Sequence, residues 1–421
     1  MKIAIIGGGA AGMACAHYLG HDHQVTIFEK SPILGGNIRT LGKNVKLKAH
    51  TLPSNLYIDN GVIEFDEKNF YAFHSLMREL SVKMECIPLN TAFFFRSGKY
   101  LLSPSRIFAS VPSFWGKLVE FSKLFFTMLD LQWFMLRTLF KRKKDYENIP
   151  IGVFFKEHIF HWWLKMLLMY SYSISYNKID QVPAALGVPM LRSCMAFTKW
   201  NRIVGGVYTY IEKILEGFPG EILTSVQITS VTRNAAGVTI TIQDREEESF
   251  DAVVFATPPH VVLELLKDPN QEEKKRFEGW KENIAHTVIH TDTSIYGPYG
   301  IKYLSAFDLF QKEKGDAGYN AFLNGLLGLD PDAIVKYNLS FNMEDRIDSK
   351  KIIHTQEHHT PLYTVEGLKH RDQIIASNGE NHTFHAGAYL YDGLHEGAIR
   401  SALAVKEKIA QLSSSYGNLK S

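Results

Sequence analysis

The chain has 421 residues, of which 45% are hydrophobic and 21% charged. That is enough apolar material for a sizeable core and for two or three domains of roughly 100 to 200 residues each. Lys plus Arg at 46 against Asp plus Glu at 44 leaves no basic excess to hold a nucleic acid. The three cysteines, Cys15, Cys86 and Cys194, are far apart and form no disulfide or metal spacing, so a reducing, cytoplasmic compartment is expected. Lys2 followed by the apolar run to Leu19 has the outline of a secretory leader. However, Gly7, Gly8, Gly9 and Gly12 would each cost an isolated helix about 1 kcal/mol.

Lys2 to Ile6 reads instead as a short buried parallel strand. Gly7-Gly8-Gly9-Ala10-Ala11-Gly12 then fits G-x-G-x-x-G, and Met13 to Leu19 continues as an apolar helix. Gly7 permits the tight turn, Gly9 lets the backbone approach a pyrophosphate, and Gly12 lets helix and strand pack closely, while the helix N-terminus faces the anion. A second strand, Gln24 to Phe28, ends in Glu29, about 20 residues after the first glycine, where a carboxylate accepts hydrogen bonds from a ribose. This unit predicts dinucleotide binding and suits NAD and FAD equally.

The next residues, SPILGGNIRT at Ser31 to Thr40, carry a second glycine pair, Gly35-Gly36. Here the sequence resembles the flavin-containing amine oxidase superfamily, whose members follow the ribose acid with G-G-R-x-x-T against the FAD pyrophosphate. The resemblance recurs in WNRIVGGVYTYI at Trp200 to Ile211, FDAVVFATP at Phe250 to Pro258, and HAGAYLYDGLHEGAIRSAL at His385 to Leu403. Within the superfamily it is nearest to a branch of predicted NAD/FAD-binding oxidoreductases, through DNGVIEF at Asp59 to Phe65 and HTVIHTD at His286 to Asp292. The resemblance implies FAD, held by Gly7, Gly9, Ala10, Ala11, Gly12, Glu29, Lys30, Gly35, Gly36, Arg39, Thr40, Gly61, Val62, Val226, Gly387, Glu396, Gly397 and Ala398. Val226 would touch the adenine through its backbone. The amides of Gly397 and Ala398, at a helix start, would face the flavin pyrimidine ring and stabilise negative charge on it.

The implied fold class is α/β: a Rossmann-type FAD-binding domain, discontinuous in sequence, with an inserted α+β substrate domain. Residues 1–85, 193–286 and 352–421 are assigned to the FAD domain, and 86–192 and 287–351 to the substrate domain. Such an enzyme takes a hydride from a substrate C–H bond to the flavin, with the protein supplying position and electrostatics. A single dinucleotide cradle points to oxygen or a separate electron carrier as acceptor.

The family's pattern is not kept throughout. His286 falls where an N5-side lysine is usual, and Leu394 falls at a cage tyrosine, with Tyr389 and Tyr391 just upstream as substitutes. Asn37 replaces the arginine of G-G-R, with Arg39 two positions away, and Ala388 replaces an acid. His286, Tyr389 and Tyr391 are therefore the catalytic candidates. The expected substrate is a small, hydrophobic molecule, such as a fatty acyl chain or an isoprenoid, rather than an amine. A flavin-dependent double-bond isomerase and a non-catalytic flavin-binding protein are the alternatives, by fold-level analogy.

Ile107 to Phe140, rich in Trp and Phe and followed by Lys141-Arg142-Lys143-Lys144, predicts a helix with one large apolar side. Packing on the core is the favoured reading, and contact with anionic lipid at a membrane surface is the alternative. A second helical stretch is expected over Phe154 to Met169. The spacing of His158 and His161 lacks a third ligand, so no metal site is expected. Cys15 is expected to pack in the core. The tail from Ser413 is expected to fray.

Overall fold

A computed structural model of the chain describes all residues except 48–50, 142–144, 147, 157–159, 196–197, 302 and 419–421. The Ile-rich run Lys2–Ile6 is the centre of a five-stranded sheet, flanked by Gln24–Phe28 and Glu221–Leu223 on one side and by Ala252–Phe255 and Thr383–His385 on the other. All its pairings are parallel. Numbered by sequence, the spatial order is 3-2-1-4-5, that of a doubly wound nucleotide-binding sheet.

Because side chains alternate along a strand, both faces of this sheet are buried. Ile3 and Ile5 pack towards the helices Ala10–Leu19, Tyr208–Gly217 and His395–Asn418, within the same core as Met13, Cys15, Ile211 and Ile399. Ala4 and Ile6 face the opposite way, with Val231, Val238 and Ile240 of a three-stranded antiparallel layer. The closing helix continues to Asn418, past the point at which fraying was expected.

A second, seven-stranded sheet runs in the order 352–362, 281–290, 338–341, 317–322, 307–311, 91–94, 100–102. The ten-residue strand Lys281–His290 pairs antiparallel with Ile352–Leu362 along its whole length. The expected boundaries at 286/287 and 351/352 therefore fall inside, or at the edge of, this pair. Both strands belong to the seven-stranded sheet, because a strand cannot be divided without breaking its ladder. In this sheet His290, Asn320, Asn338 and Ser340 form a fully buried polar chain that continues through Tyr296 to Asp308 and Arg106. Two polar residues of HTVIHTD are engaged here. His290 joins that chain, and Asp292 takes amide hydrogens from Ser294 and Asp348 and an ion pair from Lys351.

The aromatic stretch forms one long helix, Phe114–Leu139, begun by Ser113, whose hydroxyl accepts the Gly116 amide. Only one side of it meets the body of the protein: Glu120, Thr127, Leu131, Phe134 and Thr138 are buried. Trp115 is 73% exposed, Phe126 61% and Trp133 55%. The favoured expectation of a helix packed on the core thus holds for one face and fails for the other. The second helical stretch is shorter than expected, with helices at Gly152–Phe155 and His161–Tyr172.

Candidate functional site

The glycine turn between Ile6 and Ala10 is dictated by backbone space. Gly7 has φ +107, and a Cβ on Gly12 would lie 1.9 Å from the Gly7 carbonyl oxygen, so no other residue fits there. A Cβ on Gly9 would meet only Gly36 Cα, at 3.7 Å, which leaves its backbone open on that side. The second glycine pair closes onto this turn: the Gly35 amide donates to the Gly8 carbonyl at 2.8 Å, and Gly36 has φ +56.

Glu29 is buried at the end of its strand, and its carboxylate accepts amide hydrogens from Gly8 at 2.7 Å and Ser31 at 2.8 Å. The Val226 amide donates to the Glu29 carbonyl, which brings that backbone beside the acid. Arg39 leans on the carbonyls of Leu34 and Ile38. Burial lowers its guanidinium from the ordinary value, opposed by the nearby Glu29 carboxylate. Lys30 is exposed. Asn37, in place of the usual arginine, exchanges hydrogen bonds with the backbone of His359.

Several expected contacts are used internally. The Thr40 hydroxyl donates to Asp59 at 2.5 Å and accepts the Tyr208 amide, while Asp59 also takes the Val207 amide. Burial pushes the Asp59 carboxyl up to about 6, with the Thr40 hydrogen bond opposing. Glu396 accepts the Ala72 and Phe73 amides and so caps the helix Tyr71–Glu79. Burial raises its carboxyl, those two amides opposing. The Gly397 amide donates to Asp392 and that of Ala398 to the Leu394 carbonyl. Asp392 thus acts as the acceptor for Gly397 at the helix start. The Gly387 amide is likewise held, by Ser401.

His286 is not brought to the cradle. Its side chain is 57% exposed and lies 3.6 Å from Glu357, while its neighbours Ala285 and Thr287 are buried on the other face of the strand. Thr287, the next residue along the strand, points inward. Its hydroxyl donates to Asn60 Oδ1 at 2.5 Å and lies 2.9 Å from His358 Nε2. A Cβ on Gly61, whose φ is +136, would meet His358 at 3.1 Å. Burial pushes the His358 imidazole down to about 4, helped by Arg39. Asn60 is fully buried and its Nδ2 donor has no partner among the described residues. Val62 packs on the helix-side core.

Tyr389 is 2% exposed, its hydroxyl has no partner among the described residues, and its ring stands edge-on to Trp280 at 5.3 Å. Tyr363 and Tyr172 extend this aromatic group. Tyr391 is half-buried under the Arg400 guanidinium, 4.4 Å from its ring centroid. His385 stacks on Phe255 and packs on Phe277 inside the core.

One residue passed over in the sequence is Glu64. It sits between Gly61-Val62 and Phe65, whose ring stacks on Phe73 and touches His395. Its carboxyl lies within electrostatic range of Tyr319 in the seven-stranded sheet and of Cys194. Burial pushes it up to about 8. Its only signal in sequence is a charge inside the apolar run Gly61 to Phe65.

His158 lies outside the described residues. Among the described residues, no group of three or more His, Cys, Asp or Glu is placed to hold a metal ion.

Over residues 10–289, about two-thirds of its length, the sequence matches the family described as flavin containing amine oxidoreductase. The chain belongs to this family. No curated protein matches the chain significantly. Among solved structures, putrescine oxidase bound to putrescine is 12% identical with a TM-score of 0.68, over 98% of this chain and 99% of that one. A CLA-producing fatty acid isomerase from P. acnes is 17% identical at 0.68, over 97% and 98%. Cyclohexylamine oxidase from Brevibacterium oxydans IH-35A is 13% identical at 0.66, over 97% and 99%. At these identities the likeness is one of fold. As a flavin amine oxidoreductase, the chain is a flavin-dependent oxidoreductase, and the residues present fit a dinucleotide: Gly9 leaves backbone space, and the Asn60 amide is a buried donor awaiting an acceptor.

Proposed function

We propose that this flavin amine oxidoreductase binds FAD without a covalent link and oxidises a small, largely apolar molecule at a C–H bond, with oxygen or a separate electron carrier as acceptor. The observation that carries this reading is the cradle in which Glu29, held by two amides, faces the glycine turn beside Arg39. In it Glu29 takes the ribose hydroxyls, Gly9, Gly36 and Arg39 border the pyrophosphate, Val226 borders the adenine, and Asn60 Nδ2 supplies a donor on the flavin side. When bound, the flavin accepts the hydride and passes the electrons on. The part containing the parallel sheet is the cofactor domain, and the seven-stranded sheet with its helices is the substrate domain.

An apolar substrate is favoured by Leu394 at the cage position and by the group of Tyr172, Trp280, Tyr363 and Tyr389. Proton transfer is assigned to Glu64, whose carboxyl burial raises to about 8, a value suited to giving or taking a proton near neutral pH. His286 is withdrawn from the mechanism. Tyr389 presents a hydroxyl without a partner among the described residues, and Tyr391 lies under Arg400. The free cysteines Cys15, Cys86 and Cys194 accord with a cytoplasmic setting.

Anaerobic mixing with amines, fatty acids and isoprenoids, followed by flavin absorbance, tests the reading. An oxidase bleaches with one of these classes. Turnover without net bleaching would indicate a double-bond isomerase instead, and neither would indicate a flavin-binding protein. In Glu64→Gln the pH dependence of reduction near pH 8 should disappear. An unchanged profile removes Glu64 from proton transfer.

A further inference from the structure

We propose that the exposed face of the helix Phe114–Leu139 is a membrane-docking surface that lies in the headgroup layer of an anionic bilayer. At about 100° per residue, Phe114, Trp115, Phe125, Phe126, Trp133 and Leu136 fall within an arc of about 120°. The buried residues Thr127, Leu131, Phe134 and Thr138 lie on the opposite side. Every residue of the first group is exposed by more than half, Phe114 and Trp115 by 73%. A contiguous apolar face of this size on a water-exposed helix marks an interaction surface, and the geometry is that of a helix lying in the membrane plane. Among the described residues no helix is long and apolar enough to cross a membrane.

The charge around this face selects lipid over a second copy of the chain. The acidic groups of the helix lie off the arc and are engaged: Glu120 pairs with Lys123 at 2.6 Å, and Asp130 accepts the Phe160 amide. Cations border it. Lys117 lies over the Phe108 ring and Lys141 over Phe154, and Lys141 opens the run Lys141-Arg142-Lys143-Lys144, whose last three residues lie outside the described residues. Two such faces packed together would bring basic ends into one apolar interface with no carboxylate on the arc to meet them. An anionic headgroup layer supplies that countercharge, and tryptophan and basic side chains suit its depth.

The test is co-sedimentation of the full-length protein with vesicles of phosphatidylcholine alone or mixed with phosphatidylglycerol, at low and high salt, beside analytical ultracentrifugation without lipid. The protein should pellet with the anionic vesicles, less so in high salt. The triple variant Phe125→Ser/Phe126→Ser/Trp133→Ser, altered only at exposed positions, should bind at least tenfold more weakly while keeping its melting temperature. Brominated lipid should quench the wild-type tryptophan fluorescence, which decides the matter should the variant unfold. A wild-type protein that stays in the supernatant with anionic vesicles at low salt overturns the proposal. So does a dimer that the triple variant converts to monomer with no vesicle binding, since the occupant would then be a second copy.

Discussion

Replacing Glu29 with alanine tests the cradle at its most constrained carboxylate. Two charge-assisted hydrogen bonds end there, from Gly8 at 2.7 Å and Ser31 at 2.8 Å. Each such bond contributes about 1.5 to 3 kcal/mol, so the variant leaves a buried amide and a half-buried one without an acceptor, and the apoprotein should melt at a lower temperature. The ribose hydroxyls would lose their acceptor as well, a further loss of about 1.5 to 3 kcal/mol, or roughly 10- to 150-fold in affinity. The two effects separate experimentally. Thermal unfolding of the apoprotein reads the first, and titration of folded apoprotein with FAD, followed by quenching of flavin fluorescence, reads the second. Glu29→Gln keeps one acceptor oxygen without the charge and should fall between wild type and alanine in both. An alanine variant that melts lower yet binds FAD within twofold of wild type would show that Glu29 organises the glycine turn but does not recognise ribose, and the reasoning about the cofactor would fail at that point.

Acid precipitation of the purified protein should release FAD into the supernatant, because His385 is packed between Phe255 and Phe277 and is not free to form a flavin linkage; yellow pellet that retains the flavin would contradict this. His286→Ala should leave both the flavin spectrum and the rate of flavin reduction unchanged, since the imidazole is exposed on the far face of its strand; a slowed reduction would restore it to the site. Burial depresses His290, His358 and His395 to about 4 and His385 to about 3, so their contribution to stability is fully present above the unfolded value near 6.5 and is lost as pH falls through about 4. The melting temperature of Glu64→Gln, which removes the opposite trend of the raised Glu64 carboxyl, should fall steadily over that window; a flat profile from pH 7 to 4 would refute it.

The nucleotide-binding half was legible because its determinants are local. Gly7, Gly9 and Gly12 are spaced by the turn itself, and Glu29 follows at the end of the next strand, so the sequence order is also the spatial order. The division into domains was less legible, since strand pairing is non-local. Nothing in Lys281–His290 announces that its partner is Ile352–Leu362, and the pairing moves both segments into the seven-stranded sheet. The long helix shows a different limit. Its periodicity revealed an apolar side, but the Leu131 and Phe134 face and the Phe126 and Trp133 face are both apolar, and composition does not say which of them the rest of the chain covers.

Within the site, strand phase governs what could be read. Successive side chains on a strand point to opposite faces, so an alignment that is right to within one residue can still choose the wrong side chain. His286 has the more reactive chemistry and attracts attention in the sequence, yet it is the plainer Thr287 that reaches Asn60 and His358. Those three residues come from positions 60, 287 and 358, which no local motif joins. Glu64 was hidden for a related reason: burial raises its carboxyl, and the groups within its electrostatic range, Tyr319 and Cys194, come from distant parts of the chain. Residues that shape a turn are therefore visible in sequence, whereas residues drawn together from distant strands become visible only when those strands are in place.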